Sequence, residues 1–333
     1  MRVLVTGAAG FLGSWLAEGL LKQGHDVRGV DSLLGGYREN VPEEVVFRVA
    51  DCCDLEAMSV MSQGCDLVVH AAASAYEGFS VFSPALVTKN IYLASVTMIS
   101  AAARAKVPRF LMMSSMSRYG DNQVPFTEDM EPRPRDPYAV AKVASEQVLK
   151  MLGPVHGLKY VIAVPHNIFG PRQKFDDPFR NFVSIFINQM LRGKRQVIYG
   201  DGEQRRCITY IKDVVPPLLK LCEPGAFDGE TFNIGPDSPF VTVNQVARTI
   251  ARLVGVEFDP VYHPDRPLEV RDANCSADKA RRLLDYRPTY SLEDALKESI
   301  EWVRPRARPF SYHLEVEIQN ERTPRTWTEK LFD

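Results

Sequence analysis

Tyr138 and Lys142, in Tyr138-Ala139-Val140-Ala141-Lys142, stand four residues apart. On a helix that spacing puts phenol and ammonium on one face. A phenol with its ordinary pKa of about 10 is a poor base at neutral pH. A nearby ammonium, and the positive ring of an oxidised nicotinamide, would favour the phenolate. Ser115 closes an apolar run, where its hydroxyl could hold a substrate oxygen beside Tyr138. The set suits moving a proton on and off that oxygen. A tyrosine–lysine pair alone usually marks an exposed helix face, so its weight depends on what precedes it.

What precedes it is a glycine loop, Gly7-x-x-Gly10-x-x-Gly13, between an apolar β-branched run and a helical pattern. A dinucleotide diphosphate needs backbone approach without a Cβ and a free helix N-terminus facing its charge. Asp31 ends the next apolar run, 24 residues after Gly7, near the spacing of about 20 for a carboxylate that accepts from ribose hydroxyls. It would repel a 2′-phosphate, so NAD is favoured over NADP.

The elements alternate. Val3–Thr6, Val27–Val30, Val45–Val49, Leu67–His70, Phe110–Ser114 and Tyr160–Val164 read as strands. Helical patterns lie at Ser14–Lys22, Met58–Met61, 90–105 and Pro137–Leu152. This alternation predicts an α/β fold, a Rossmann-type doubly wound parallel sheet with a smaller C-terminal α/β substrate domain. The division falls near Gly170-Pro171, giving 1–170 and 171–333. Strands after 205, at Thr209–Ile211 and Thr231–Ile234, are free to return to the first sheet. The second half adds helices at Val183–Leu191, after Thr242-x-x-Gln245 to Leu253, and at Leu292–Val303; His313–Ile318 looks strand-like. Thr242 and Gln245 have the form of a capping box.

The chain has 333 residues, 45% hydrophobic and 25% charged. That is an ordinary globular composition and excludes disorder as the dominant state. A net charge of −2 argues against a strongly basic nucleic-acid binder. No apolar run reaches the roughly 18–20 residues of a membrane span. The six cysteines include no CxxC and no zinc-ligand spacing, so they read as reduced thiols and no metal is expected. Met1-Arg2 runs directly into the first strand, the start of a cytoplasmic protein rather than an export signal.

The motifs TGAAGFLG, Asp31, Asp51, HAAA at 70–73, SSMSRYG at 114–120, PYAVAK at 137–142 and NIFGPRQ at 167–173 resemble those of the extended short-chain dehydrogenase/reductases. Within them the chain looks like the NAD-dependent nucleotide-sugar 4-epimerases, over roughly residues 1–300. The resemblance implies that Gly7, Gly10, Phe11, Leu12 and Gly13 form the diphosphate loop and that Asp31 binds ribose. It gives Asp51 and Cys52 the adenine, Ala71, Ala72, Ala73 and Pro165 the cofactor wall, and Asn90 a helix-start position near it. It makes Ser115, Tyr138 and Lys142 catalytic, and implies a homodimer built on helices 90–105 and 138–152.

For a UDP-sugar, the same resemblance places Asn167, Arg206 and Arg266 at the diphosphate and Glu269 at the ribose. A guanidinium can bind phosphate oxygens in a bidentate way. Asn181, Val183, Val197 and Tyr199 fall where the family contacts sugar and uracil. Arg180 could pair with a C6 carboxylate if the sugar is a uronate; Arg271 is the weaker arginine, free to pair with an acid instead. Dehydratase relatives carry an Asp-Glu pair where Met116 and Ser117 stand here, and uronate decarboxylases usually have Glu at 117. Both reactions are disfavoured. His166 reads as packed rather than functional. The tail Thr323-Pro324-Arg325-Thr326-Trp327 lies outside the family pattern and should pack on the core or a partner subunit.

Overall fold

The computed structural model describes every residue except Ala226. The run Val3-Leu4-Val5 has no polar face, and a strand buries such a run only with cover on both sides. It lies in β1 (Arg2–Thr6), inside a seven-stranded sheet. The others are β2 (Asp26–Asp31), β3 (Val46–Val49), β4 (Leu67–His70), β5 (Arg109–Met113), β6 (Lys159–Pro165) and β7 (Thr231–Ile234). Their order is β7-β6-β5-β4-β1-β2-β3, with every pairing parallel. This is the Rossmann-type doubly wound sheet.

The helices that matter for the site are α1 (Phe11–Lys22), α2 (Leu55–Ser62), α3 (Glu77–Ser80), α4 (Pro84–Arg104), α5 (Pro137–His156), α6 (Phe182–Leu191), α7 (Ile211–Leu221), α8 (Val243–Val254) and α9 (Leu292–Val303). Alternation along β1 separates two cores. Val3 and Val5 pack with Leu16 and Leu20 of α1 and Val214 and Leu218 of α7. Leu4 faces the other way, toward Met58 of α2, Met98 of α4 and Leu149 of α5. A third core joins α6, α8 and α9 through Phe186, Ile250 and Ile300. Thr242 caps α8 with the expected reciprocal box to Gln245.

The chain does not leave the first sheet for good at 170. Thr231–Ile234 returns as β7, paired to β6, and α7 covers the face beside α1. Several expectations need correction. Helix α1 starts at Phe11, three residues before Ser14, because Gly10 is its extended N-cap. Helix α5 runs past Leu152 to His156; Pro154 removes only a late hydrogen bond, and Gly157 at φ +67° ends the helix. Asn90 is not at a helix start. It lies in a wide π turn, Lys89–Leu93, inside α4. By length and composition α4 could cross a membrane, yet half of its apolar stretch is buried in the protein. His313–Ile318 is not a strand. It crosses the start of α4, where the Glu317 carboxylate accepts from the N–H groups of Ala85 and Leu86 at 2.9 and 2.8 Å.

Strand order reverses between β1 and β4, so the loops after these strands diverge to opposite sides and open a crevice. They also touch. A Cβ on Gly7 would lie 2.8 Å from the Ala72 nitrogen, and Gly7 has φ +71°. A Gly7→Ala variant is therefore expected to lose about 1–2 kcal/mol from backbone strain alone, and more from the clash. A thermal melt several degrees below that of the parent chain checks this; an unchanged melt contradicts the contact.

Candidate active site

The crevice widens into one large cavity of about 400 Å³ running from the glycine loop to the C-terminal half. At its first end, the N-terminus of α1 has no side-chain cap and no acid in its first turn. Its N–H groups thus face the cavity with nothing to compete against an anion. Asp31 ends β2 beside it. One carboxylate oxygen accepts from Ala9 N–H at 3.0 Å and the other from Leu33 N–H at 2.7 Å. Burial pushes its pKa up, and these hydrogen bonds work against the shift. Gly7, Gly10, Phe11, Leu12, Gly13, Asp51, Cys52, Ala71, Ala72, Ala73, Asn90 and Pro165 all line this part. A dinucleotide fits the set: bare backbone, a helix N-terminus, then a fixed acid.

Ser115, Tyr138 and Lys142 line the middle. Lys142 Nζ donates to the Met113 carbonyl at 2.8 Å and sits 6.0 Å from the centre of the Tyr138 ring. Burial lowers its pKa to about 8, while the Glu146 charge raises it. Glu146 is itself fully engaged, paired with buried Arg118 at 3.0 Å and accepting from Ser114 Oγ. Burial raises the Tyr138 pKa, and then Glu77 adds to the rise; the Ser115 hydroxyl lowers it. Ser115 Oγ accepts from Ser117 Oγ at 2.9 Å. Met116 is buried. No carboxylate stands at 116 or 117.

At the far end, Arg206 and Arg266 converge on one acid. Glu269 meets Arg206 at 3.4 Å and Arg266 at 2.7 Å, and the Arg266 guanidinium stacks over Tyr199 at 4.7 Å. Two guanidinium groups sharing one carboxylate leave positive charge for a polyanion. Asn167, Asn181, Val197 and Tyr199 also line the cavity. Asn167 donates to the Cys207 carbonyl at 3.0 Å, while Asn181 caps α6 through Val183 N–H at 2.9 Å. Val183 itself points into the core, 1% exposed; Phe182, Ile185 and Phe186 line the cavity instead, because they share one helical face at i, i+3 and i+4 and Val183 lies on the next. Arg271 pairs with Asp201 at 3.4 Å, away from the cavity. His166 is packed, its Nε2 donating to the Pro236 carbonyl at 3.0 Å.

Arg180 lines the cavity but is already committed. Its Nε meets Asp177 at 3.3 Å, Nη2 donates to the Gly35 carbonyl at 3.3 Å, and its guanidinium stacks on Tyr76 at 4.3 Å. Among the lining residues not named from the sequence, two bear on the site. Phe332 comes from the tail, which packs on the core through Trp327 against Phe79 and Phe179; no local pattern links it to the site. Glu77 is the other, and its signal was available: an acid seven residues after His70, in the loop that follows β4 at the switch point. Enclosure raises its carboxyl to about 7, helped by Asp136 and opposed by Arg206 and Arg266.

An acid raised on folding stabilises below its unfolded pKa and loses that contribution as pH rises through the folded value. Glu77 therefore penalises the fold progressively between roughly pH 4.5 and 7. The melting temperature of Glu77→Gln, relative to the parent chain, is expected to rise across that window and level off above it. A difference independent of pH contradicts the enclosed carboxyl.

The comparisons with known proteins agree with this geometry. The profile of the NAD dependent epimerase/dehydratase family matches residues 3–235. A UDP-glucose 4-epimerase of Mycolicibacterium smegmatis is 32% identical, over 92% of this chain and all of its own length. A UDP-N-acetyl-alpha-D-glucosaminuronate decarboxylase of Bacillus cytotoxicus is 30% identical, over 91% of this chain and 98% of its own. Among solved structures, a UDP-glucose 4-epimerase of Thermotoga maritima with UDP-glucose superposes with a TM-score of 0.85 at 35% identity, covering 92% of this chain and 99% of that one. A chain with this loop, this cavity and these relatives belongs to the NAD dependent epimerase/dehydratase family, and its cofactor is NAD.

Proposed function

We propose that the protein is a UDP-sugar 4-epimerase working through a transient 4-keto sugar. The observation that carries this reading is the cluster of Ser115, Tyr138 and Lys142 with no carboxylate at the two positions after Ser115. Met116 is buried and the Ser117 hydroxyl is spent on Ser115, so no side chain there can help expel water or steer a decarboxylation. Both are the rival reactions, because decarboxylase and dehydratase relatives share the scaffold.

The residues divide the work. Bound NAD supplies the hydride acceptor, and later the donor, at the sugar C4. Tyr138 takes the proton from the C4 hydroxyl as it becomes a carbonyl and gives it back afterwards. Ser115 holds that oxygen. Lys142, fixed by the Met113 carbonyl, supplies the positive charge that makes a phenolate affordable in a buried setting. Arg206 and Arg266 hold the diphosphate while the keto sugar turns over and presents its other face. In this division residues 1–170, with the returning β7, hold NAD, and 171–333 mainly hold the nucleotide sugar. A homodimer would cover the apolar residues that α4 and α5 leave exposed, Leu93, Val140, Met151 and Val155.

Tyr138→Phe is expected to lower turnover by about 10²–10⁴-fold while NAD stays bound, read by product NMR and by cofactor released on denaturation; retained turnover contradicts the role. The product should have the mass of the substrate, and loss of carbon dioxide or water would overturn the reaction class. Sedimentation at micromolar concentration should give a dimer; a monomer removes that proposal.

A further inference from the structure

The hexose of a nucleotide sugar has to span two fixed points: Tyr138, where C4 reacts, and the arginines that hold the diphosphate on C1. Helix α3 lies across that span. Its Ser80 Oγ accepts from the Tyr138 N–H at 3.2 Å, which ties the turn to the catalytic end. Its Gly78 lies against Arg266, so that a Cβ there would sit 3.3 Å from Nη1, which ties it to the diphosphate end. Glu77 opens the same turn, next to the Gly78 tie. Its side chain is exposed to the cavity it lines. Arg206 and Arg266 instead share Glu269, and Arg180 is held by Asp177. Among the described residues the Glu77 carboxylate accepts no hydrogen bond and makes no ion pair.

We propose that Glu77 sets the sugar specificity: it accepts hydrogen bonds from the hydroxyls of a neutral hexose and excludes sugars that carry a carboxylate. This rests on the epimerase reading and names the substrate class of the same site. The warrant is like-charge repulsion in an enclosed space, where two carboxylates sharing a site are strongly disfavoured. The nearest feature that would invite a uronate is Arg180, and its charge is already met. A neutral hexose brings several hydroxyl donors to an acceptor that lacks one.

The test uses the full chain with its bound cofactor, as the parent protein, Glu77→Gln and Glu77→Arg. Calorimetric binding and initial rates are measured with UDP-glucose and with UDP-glucuronate at pH 8, above the Glu77 titration. The parent is expected to bind UDP-glucose at least about tenfold more tightly than UDP-glucuronate. Glu77→Gln, which keeps shape and removes charge, should narrow that ratio by improving UDP-glucuronate, and Glu77→Arg should narrow it further. A parent that prefers UDP-glucuronate overturns the proposal. So does a Glu77→Gln variant that changes both affinities equally, since Glu77 would then only balance the arginines. Binding of neither sugar overturns it as well. Selective binding of UDP-glucose without any C4 epimer would leave the specificity intact and defeat the epimerase reading alone.

Discussion

The active face of this protein hangs on one hydrogen bond, from the Lys142 ammonium to the Met113 carbonyl at 2.8 Å. Met113 ends β5, and Lys142 lies one turn beyond Tyr138 on α5, so the bond locks that turn of helix to that strand end. Burial already weakens the ammonium's hold on its proton, and a cation in such a place needs an acceptor. A backbone carbonyl meets the need without cancelling the charge. The nearest acid, Glu146, is kept busy by Arg118 and Ser114. Positive charge is thus left for the phenol, and Ser115, just beyond the same strand end, falls within its reach.

The two ends of the cavity obey the same rule of supplying charge without neutralising it. At the cofactor end the charge is the N-terminus of α1, uncapped and free of acids. At the far end it is a pair of arginines sharing one carboxylate. Glu77 is the exception, an acid lining the same cavity as the free helix N-terminus and the arginine pair. Its raised pKa comes from burial and from Asp136, against the pull of Arg206 and Arg266, and perturbed carboxyls of this kind cluster at functional sites.

Much of this was legible in the sequence because the signals are local. Val3-Leu4-Val5 needs cover on both faces, Gly7 to Gly13 needs a strand before and a helix after, and Tyr138 and Lys142 need one helical turn. What the sequence hid depends on tertiary placement. Helix α6 is apolar nearly all round, so nothing local said that Val183 would face the core and Ile185 the cavity. The resemblance puts Asn90 at a helix start, yet α4 opens six residues earlier at Pro84 and carries Asn90 inside a π turn. His313–Ile318 alternates like a strand, yet its partner is the start of α4 and not a sheet edge. Phe332 is held at the cavity by contacts with residues distant in sequence: its ring packs on Phe310, its N–H donates to the Tyr312 hydroxyl and its carbonyl accepts from Gln189.

In the proposed reaction one carbon, C4, is oxidised and re-reduced without the hydride it gives up ever exchanging with water. Purified protein can be given UDP-glucose, UDP-galactose and UDP-glucuronate, each with deuterium at C4, and the products read by NMR and mass spectrometry. A C4 epimer that keeps its deuterium at C4 is expected. An epimer that has exchanged deuterium for solvent hydrogen, or a product that has lost carbon dioxide or water, would contradict that reaction.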